Sequence, residues 1–214
     1  MKTTIKLSLL LSIMLVLNSC LGDKKTVEVS EMNDTSFVNK NFKGNLINYN
    51  KDNSACEQMS MSALANIYKV SQDEIHLMDN KKSDRFRKDI EPQCGFYIET
   101  SENDYEWLRG SIALFREIAK DEMMGEIAET AGSGENWEEA WALKKSMSKS
   151  SEWISDMGMA ALWNERQKEL KIKFDGYTLM VYPPKNITNK DEMSKNRDYK
   201  EVAIAMVKAA GYIN

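Results

Sequence analysis

Leu170-Lys171-Ile172-Lys173-Phe174-Asp175-Gly176-Tyr177-Thr178-Leu179-Met180-Val181-Tyr182 alternates apolar and polar residues on both sides of an Asp-Gly pair. Alternation with a period of two marks a strand with one buried face, and two such runs joined by two turn residues make a β-hairpin. Asp175-Gly176 predicts a type I′ turn, in which both central residues need positive φ. Pro183 and Pro184 follow, and because proline gives no N–H to a ladder they are expected to end the second strand. Further along, residues 191–210 read as a closing helix with Tyr199, Val202, Ala203 and Met206 on its apolar face, and Gly211 stands where a helix C-cap belongs.

Upstream of the hairpin the periodicities mix. Residues 57–70 carry Met61, Leu64, Ala65 and Tyr68 at helical spacing. Residues 75–78 and 94–100 have strand composition, with a charged loop over 81–93 between them and a turn over 101–104. Residues 107–118 read as a strand leading toward a helix, and 120–130 as helical. Asn136 sits at an N-cap position before Trp137, Ala140, Trp141, Leu143 and Met147, which share one broad face. Strand pairs and helices follow one another without βαβ alternation, so the expected class is α+β, an antiparallel sheet with helices packed on one face.

The chain has 214 residues, 42% hydrophobic and 29% charged, with only ten Gly and three Pro, which excludes wholesale disorder and fibrous repeats and suits one ordinary domain. A formal charge of −4 argues against nucleic-acid binding, which needs a basic surface to replace counterions. A single histidine leaves no multi-His zinc site and no Ser-His-Asp triad unless His76 serves. No Gly-rich phosphate loop, GxSxG elbow or HExxH pair occurs, so neither an enzyme nor a cofactor is expected.

The first residues, MKTTIKLSLLLSIMLVLNSC, place Lys2 and Lys6 ahead of an apolar run from Leu7 to Leu17. A run of that length is short of the roughly 20 residues a spanning helix needs and has the form of a signal-peptide core. It ends in Leu17-Asn18-Ser19-Cys20, which resembles a bacterial lipobox. That resemblance implies cleavage before Cys20 and acylation of its sulfur and amine, an anchor held by about 0.8 kcal/mol per buried CH₂. It also implies a lipid-anchored cell-envelope protein. Leu21, where an aspartate would mark inner-membrane retention, favours the outer membrane. The expected organisation is a signal peptide over 1–19, a lipidated flexible tether over 20–45 and a single α+β domain over 46–214. Removing 1–19 takes two lysines and no acid, so the mature chain carries a net charge of −6.

An exported chain meets an oxidising compartment, so Cys56 and Cys94 are expected to form a disulfide, which divides three cysteines into one anchor and one pair. The competing reading, a catalytic thiol with His76 as base, lacks any local signature. His76 with Asp73 and Glu74 offers three metal ligands only if a turn brings them together. Met59/Met61 and Met157/Met159 offer soft sulfur for Cu(I), although methionine commonly fills cores. The pairs Asp121/Glu122 and Glu138/Glu139 are more simply a solvated helix face than acid and base.

Two groups are the candidate ligand or partner surfaces. One is the basic run Lys81, Lys82, Arg85, Phe86, Arg87 and Lys88, a cationic patch in an acidic protein. The other is Trp137, Trp141 and Lys144, spaced to share a helix face, where a pocket is first to be sought.

The folded region also resembles the extracytoplasmic sensor-like domain of mycobacterial PknH-type kinases and related envelope lipoproteins. The resemblance rests on Cys56 before a short helix, a strand carrying Cys94, the segment Met157-Gly158-Met159-Ala160-Ala161-Leu162-Trp163, the hairpin over 170–182 and the Ala-rich helix over 200–210. It implies an α+β fold and a non-catalytic binding role for an unidentified protein or small molecule, and it assigns no site residue. Two alternatives follow from an exported lipoprotein of this size: an immunity-type inhibitor that neutralises a toxin, and an envelope hydrolase with a carboxylate pair.

Overall fold

The computed structural model describes residues 34–42, 54–82, 92–117, 137–186 and 197–213. Seven strands form one antiparallel sheet: β1 Ile75–Asp79, β2 Gln93–Ile98, β3 Leu108–Arg116, β4 Ser151–Ile154, β5 Ala160–Asn164, β6 Glu169–Phe174 and β7 Tyr177–Lys185. Their order is β1-β2-β3-β7-β6-β5-β4, two meanders joined where β3 meets β7. Among the described residues three α-helices accompany it: α1 Met61–Tyr68, α2 Trp137–Ser146 and α3 Tyr199–Ala209.

The hairpin over 170–182 is β6–β7, with Leu170 opposite Val181, Ile172 opposite Leu179 and Phe174 opposite Tyr177. Its turn is not type I′. Of the two turn residues only Gly176 has positive φ, at 72°, while Asp175 stays on the ordinary side. The two prolines do not end the second strand either. β7 runs on to Lys185, and the register against β3 shifts between Arg109 and Ser111, where Pro183 and Pro184 occupy a bulge. A bulge asks for no N–H from the extra residue, so proline is tolerated there. Gly110 faces the bulge. A Cβ on it would lie 2.3 Å from the Tyr182 carbonyl oxygen and 2.5 Å from the Pro184 nitrogen, so only glycine allows the two strands this approach.

Strand alternation sorts the side chains onto two faces. One face carries Phe96, Ile112, Leu179, Val181, Leu170, Ile172, Phe174 and Trp163, all fully buried. Helices α1 and α3 cover it through Leu64, Tyr68, Ala203, Met206 and Val207. The class is α+β, as expected, but the helices divide between the faces. Trp141 of α2 packs on Ala160 and Leu162, whose side chains point away from those of Ala161 and Trp163, so α2 lies on the opposite face.

Helix ends follow the capping chemistry of their residues. Asp198 caps α3 by accepting from the Lys200 and Glu201 amides, and Gly211 closes it with φ 72°. The helix expected over 57–70 is shorter: Glu57 ends a 3₁₀ turn at Ala55–Glu57, and Ser60 caps α1, which starts at Met61, by accepting from the Ala63 amide. The helix expected over 191–210 begins at Tyr199 in the described chain. Strands β4 and β5 were not expected. They read weakly because β5, Ala-Ala-Leu-Trp-Asn, is buried on both faces and shows no alternation.

Cys56 and Cys94 form a disulfide with 4.9 Å between their Cα atoms, tying the 3₁₀ turn to β2. Residues 34–42 fall in the stretch expected to be a tether, yet they pack on the domain. Phe37 stacks on Trp153 at 3.9 Å, Phe42 meets Phe174, and the Asn39 amide donates to the Met159 carbonyl. Among the described residues no helix is long and apolar enough to cross a membrane.

Candidate functional site

The face under α2 carries the polar chemistry of the sheet. Strand β6 places Glu169, Lys171 and Lys173 there, since each alternates with the core residues Leu170, Ile172 and Phe174. Beside them β5 contributes Leu162 and Asn164, β4 contributes Ser151, and the last turn of α2 contributes Lys144. Together with Met147, Ser148, Arg166 and Gln167 these residues line a cleft of about 450 Å³ between α2 and the ends of β5 and β6.

Glu169 is only 3% exposed, and its carboxylate is fully engaged. Tyr182 donates its hydroxyl to Oε1, and the Lys171 ammonium lies 2.8 Å from Oε2. Burial first, then the hydrogen bond to Glu169, pushes the Tyr182 phenol far above its ordinary range, so it stays a donor. Deeper under α2, Lys173 is 2% exposed and donates to the Phe174 carbonyl. Its ammonium pairs with Glu117 at 3.1 Å and lies 5.2 Å from the Trp137 ring centroid.

Lys144 differs from both. Its ammonium stands 5.6 Å over the ring of Trp141, and among the described residues no carboxylate lies within ion-pair distance. Burial holds its pKa below the usual lysine range; Lys171 and Lys173 add to that, and Glu117 and Glu169 only partly offset it. Across the cleft Asn164 is fixed by its neighbours: Nδ2 donates to Ser151 Oγ at 3.2 Å and Oδ1 accepts from the Gln167 amide at 3.0 Å. Ser151 is buried and accepts from Asn164, which leaves its own hydroxyl proton to donate.

The three residues singled out on α2 therefore have three different places. Trp141 is 1% exposed and belongs to the packing against Ala160 and Leu162, so it is not a surface residue. Trp137 is half-buried in an aromatic cluster, edge-on to Phe37 and to Trp141. Lys144 alone lines the cleft. The alternation over 170–182 pointed to Lys171 in the sequence, but Glu169 lies just before that stretch, and nothing local revealed that Asn164 and Ser151 would join them from strands β4 and β5.

Of the basic run, Arg85, Phe86, Arg87 and Lys88 lie outside the described residues, as do Cys20, residues 120–130, Asp121/Glu122 and Asn136. Lys82 pairs with Glu57 at 2.9 Å, and the Lys81 amide donates to Asp79. Lys82 borders a hollow of about 500 Å³ beside the disulfide, which Cys56, Glu57, Leu77, Met78 and Asp79 also line. Its charges answer one another, because Asp79 also accepts from the buried Ser54 hydroxyl. His76 is half-exposed, stacks on Trp107 and lies 3.2 Å from Glu99 rather than beside Asp73 and Glu74, which occupy a 3₁₀ turn. Met59 and Met157 are core residues. Glu138 and Glu139 sit in the first turn of α2, where acids favour the helix dipole. Among the described residues no group of three His, Cys, Asp or Glu side chains is placed to hold a metal.

Compared with models of protein families, with curated proteins and with solved structures, the chain matches none.

Proposed function

We propose that this chain is a lipid-anchored protein of the bacterial cell envelope, acylated on Cys20, whose α+β domain is a non-catalytic binding module. The observation that carries the binding role is the cleft under α2. It is concave and of a volume that small-molecule sites have, and among the described residues it brings the unpaired cation Lys144 and several hydrogen-bonding groups beside Leu162 and Met147. Among the described residues that line it the one acid, Glu169, is already engaged by Lys171 and Tyr182. The lipobox-like run Leu17-Asn18-Ser19-Cys20 and the Cys56–Cys94 disulfide both support an exported chain that meets an oxidising compartment.

Two measurements test this reading. Labelled palmitate fed to cells should enter the wild-type chain and not the Cys20→Ala variant, which should also leave the membrane fraction. A photo-crosslinking residue at Met147, on the cleft, should give a defined adduct in intact cells that the same residue at Lys208, on the outer side of α3, does not give. Identical products from both positions, or none from Met147, would argue against a binding role for the cleft.

A further inference from the structure

We infer that the cleft under α2 takes an organic anion, a carboxylate borne on an apolar body, with Lys144 as its counter-ion. This rests on the binding reading above and narrows it to a ligand class. Glu169 is neutralised by Lys171 at 2.8 Å and Lys173 by Glu117 at 3.1 Å, whereas Lys144 has no carboxylate within ion-pair distance among the described residues. Lys144 is exposed and lines the cleft together with Lys171, so its ammonium adds a local excess of positive charge there that an anion would offset. A cation entering the cleft would meet Lys144 and Lys171 together. A neutral ligand would displace water from Lys144 without replacing its charge interactions.

The walls fix the rest of the ligand. Ser151, which also lines the cleft, accepts from the Asn164 amide and so keeps its hydroxyl proton for an acceptor in the ligand. Leu162 and the 60% exposed Met147 add apolar surface to the same cleft. A charge-assisted hydrogen bond at one end and an apolar wall beside it suit a carboxylate attached to a ring or short chain.

The test uses the full chain in detergent micelles, with micelle blanks, and three probes of one shape: benzoate, benzamidine and benzyl alcohol, measured by equilibrium dialysis. Benzoate should bind roughly tenfold more tightly than either other probe, the discrimination expected of one charged hydrogen bond. Lys144→Met should lose that preference while melting as a folded protein, and Lys144→Arg should keep it. Absence of benzoate binding, equal binding of benzamidine, or unchanged benzoate binding in Lys144→Met would each overturn the assignment. If benzyl alcohol binds best and the Met147 adduct still forms, the binding module stands and only the anion class fails. If neither the probes nor the adduct appear, both fall.

Discussion

Gly110 and Gly158 show how single residues set this fold. The Cβ of Gly110→Ala would press on the Tyr182 and Pro184 backbone, and that of Gly158→Ala would lie 2.6 Å from Ile172 Cγ2 and 2.6 Å from the Lys173 carbonyl oxygen. Gly158 also has a φ of 63°, so its substitution adds backbone strain. Each variant should lose about 2 kcal/mol or more in urea unfolding, as overpacking against backbone does. Gly176→Ala, with open space around its Cβ, should lose less, its cost coming from φ alone. Lys144 carries a prediction of opposite sign. Its pKa is lowered in the folded state by burial and by Lys171 and Lys173 against Glu117 and Glu169, so the unfolded chain binds its proton more tightly. At neutral pH the cation therefore counts against folding, and that penalty fades as pH rises through the lowered folded value toward the ordinary lysine range. Lys144→Met should be no less stable than wild type at neutral pH, and the wild type should gain on it as pH is raised in a series of melts.

At the scale of elements, legibility followed periodicity. The β6–β7 hairpin was readable from its alternation about Asp175-Gly176, β1, β2 and β3 from their strand composition, and α3 because its apolar residues recur at helical spacing. The hairpin's detail was not readable, since the Pro183-Pro184 bulge depends on Gly110, more than 70 residues away. Strand β5 escaped because burial on both faces erases alternation, and β4 is only four residues long; with them went three residues of the cleft, Ser151, Leu162 and Asn164. Lys144 was legible as part of the α2 face, but its isolation from carboxylates is a tertiary fact. The capping reading gives a further test. Asp198 alone holds two amides at the start of α3, so Asp198→Ala should cost about 1 kcal/mol in thermal unfolding while Asp198→Ser costs less.

The whole molecule is a sheet with unequal faces. α1 and α3 seal one in a single apolar core, and α2 covers part of the other, where the charged side chains of β6 gather. The disulfide joins residues 38 apart, and in the chain-entropy description closing such a loop stabilises the fold by about 4 kcal/mol. Reduction under native conditions should therefore lower the denaturation midpoint substantially, while Cys56→Ala/Cys94→Ala should match the reduced wild type. On the proposed reading, export and acylation of Cys20 would hold the domain at a membrane by its N-terminus, and the cleft under α2 is its proposed binding surface. Two-dimensional NMR of the full chain with ¹³C-methylated lysines, titrated with benzoate, tests that assignment most directly. The account predicts that the Lys144 signal moves saturably, with Lys171 following, while Lys200 and Lys208 stay in place. Movement of all lysines alike, or a Lys144 signal unchanged by benzoate, would contradict it.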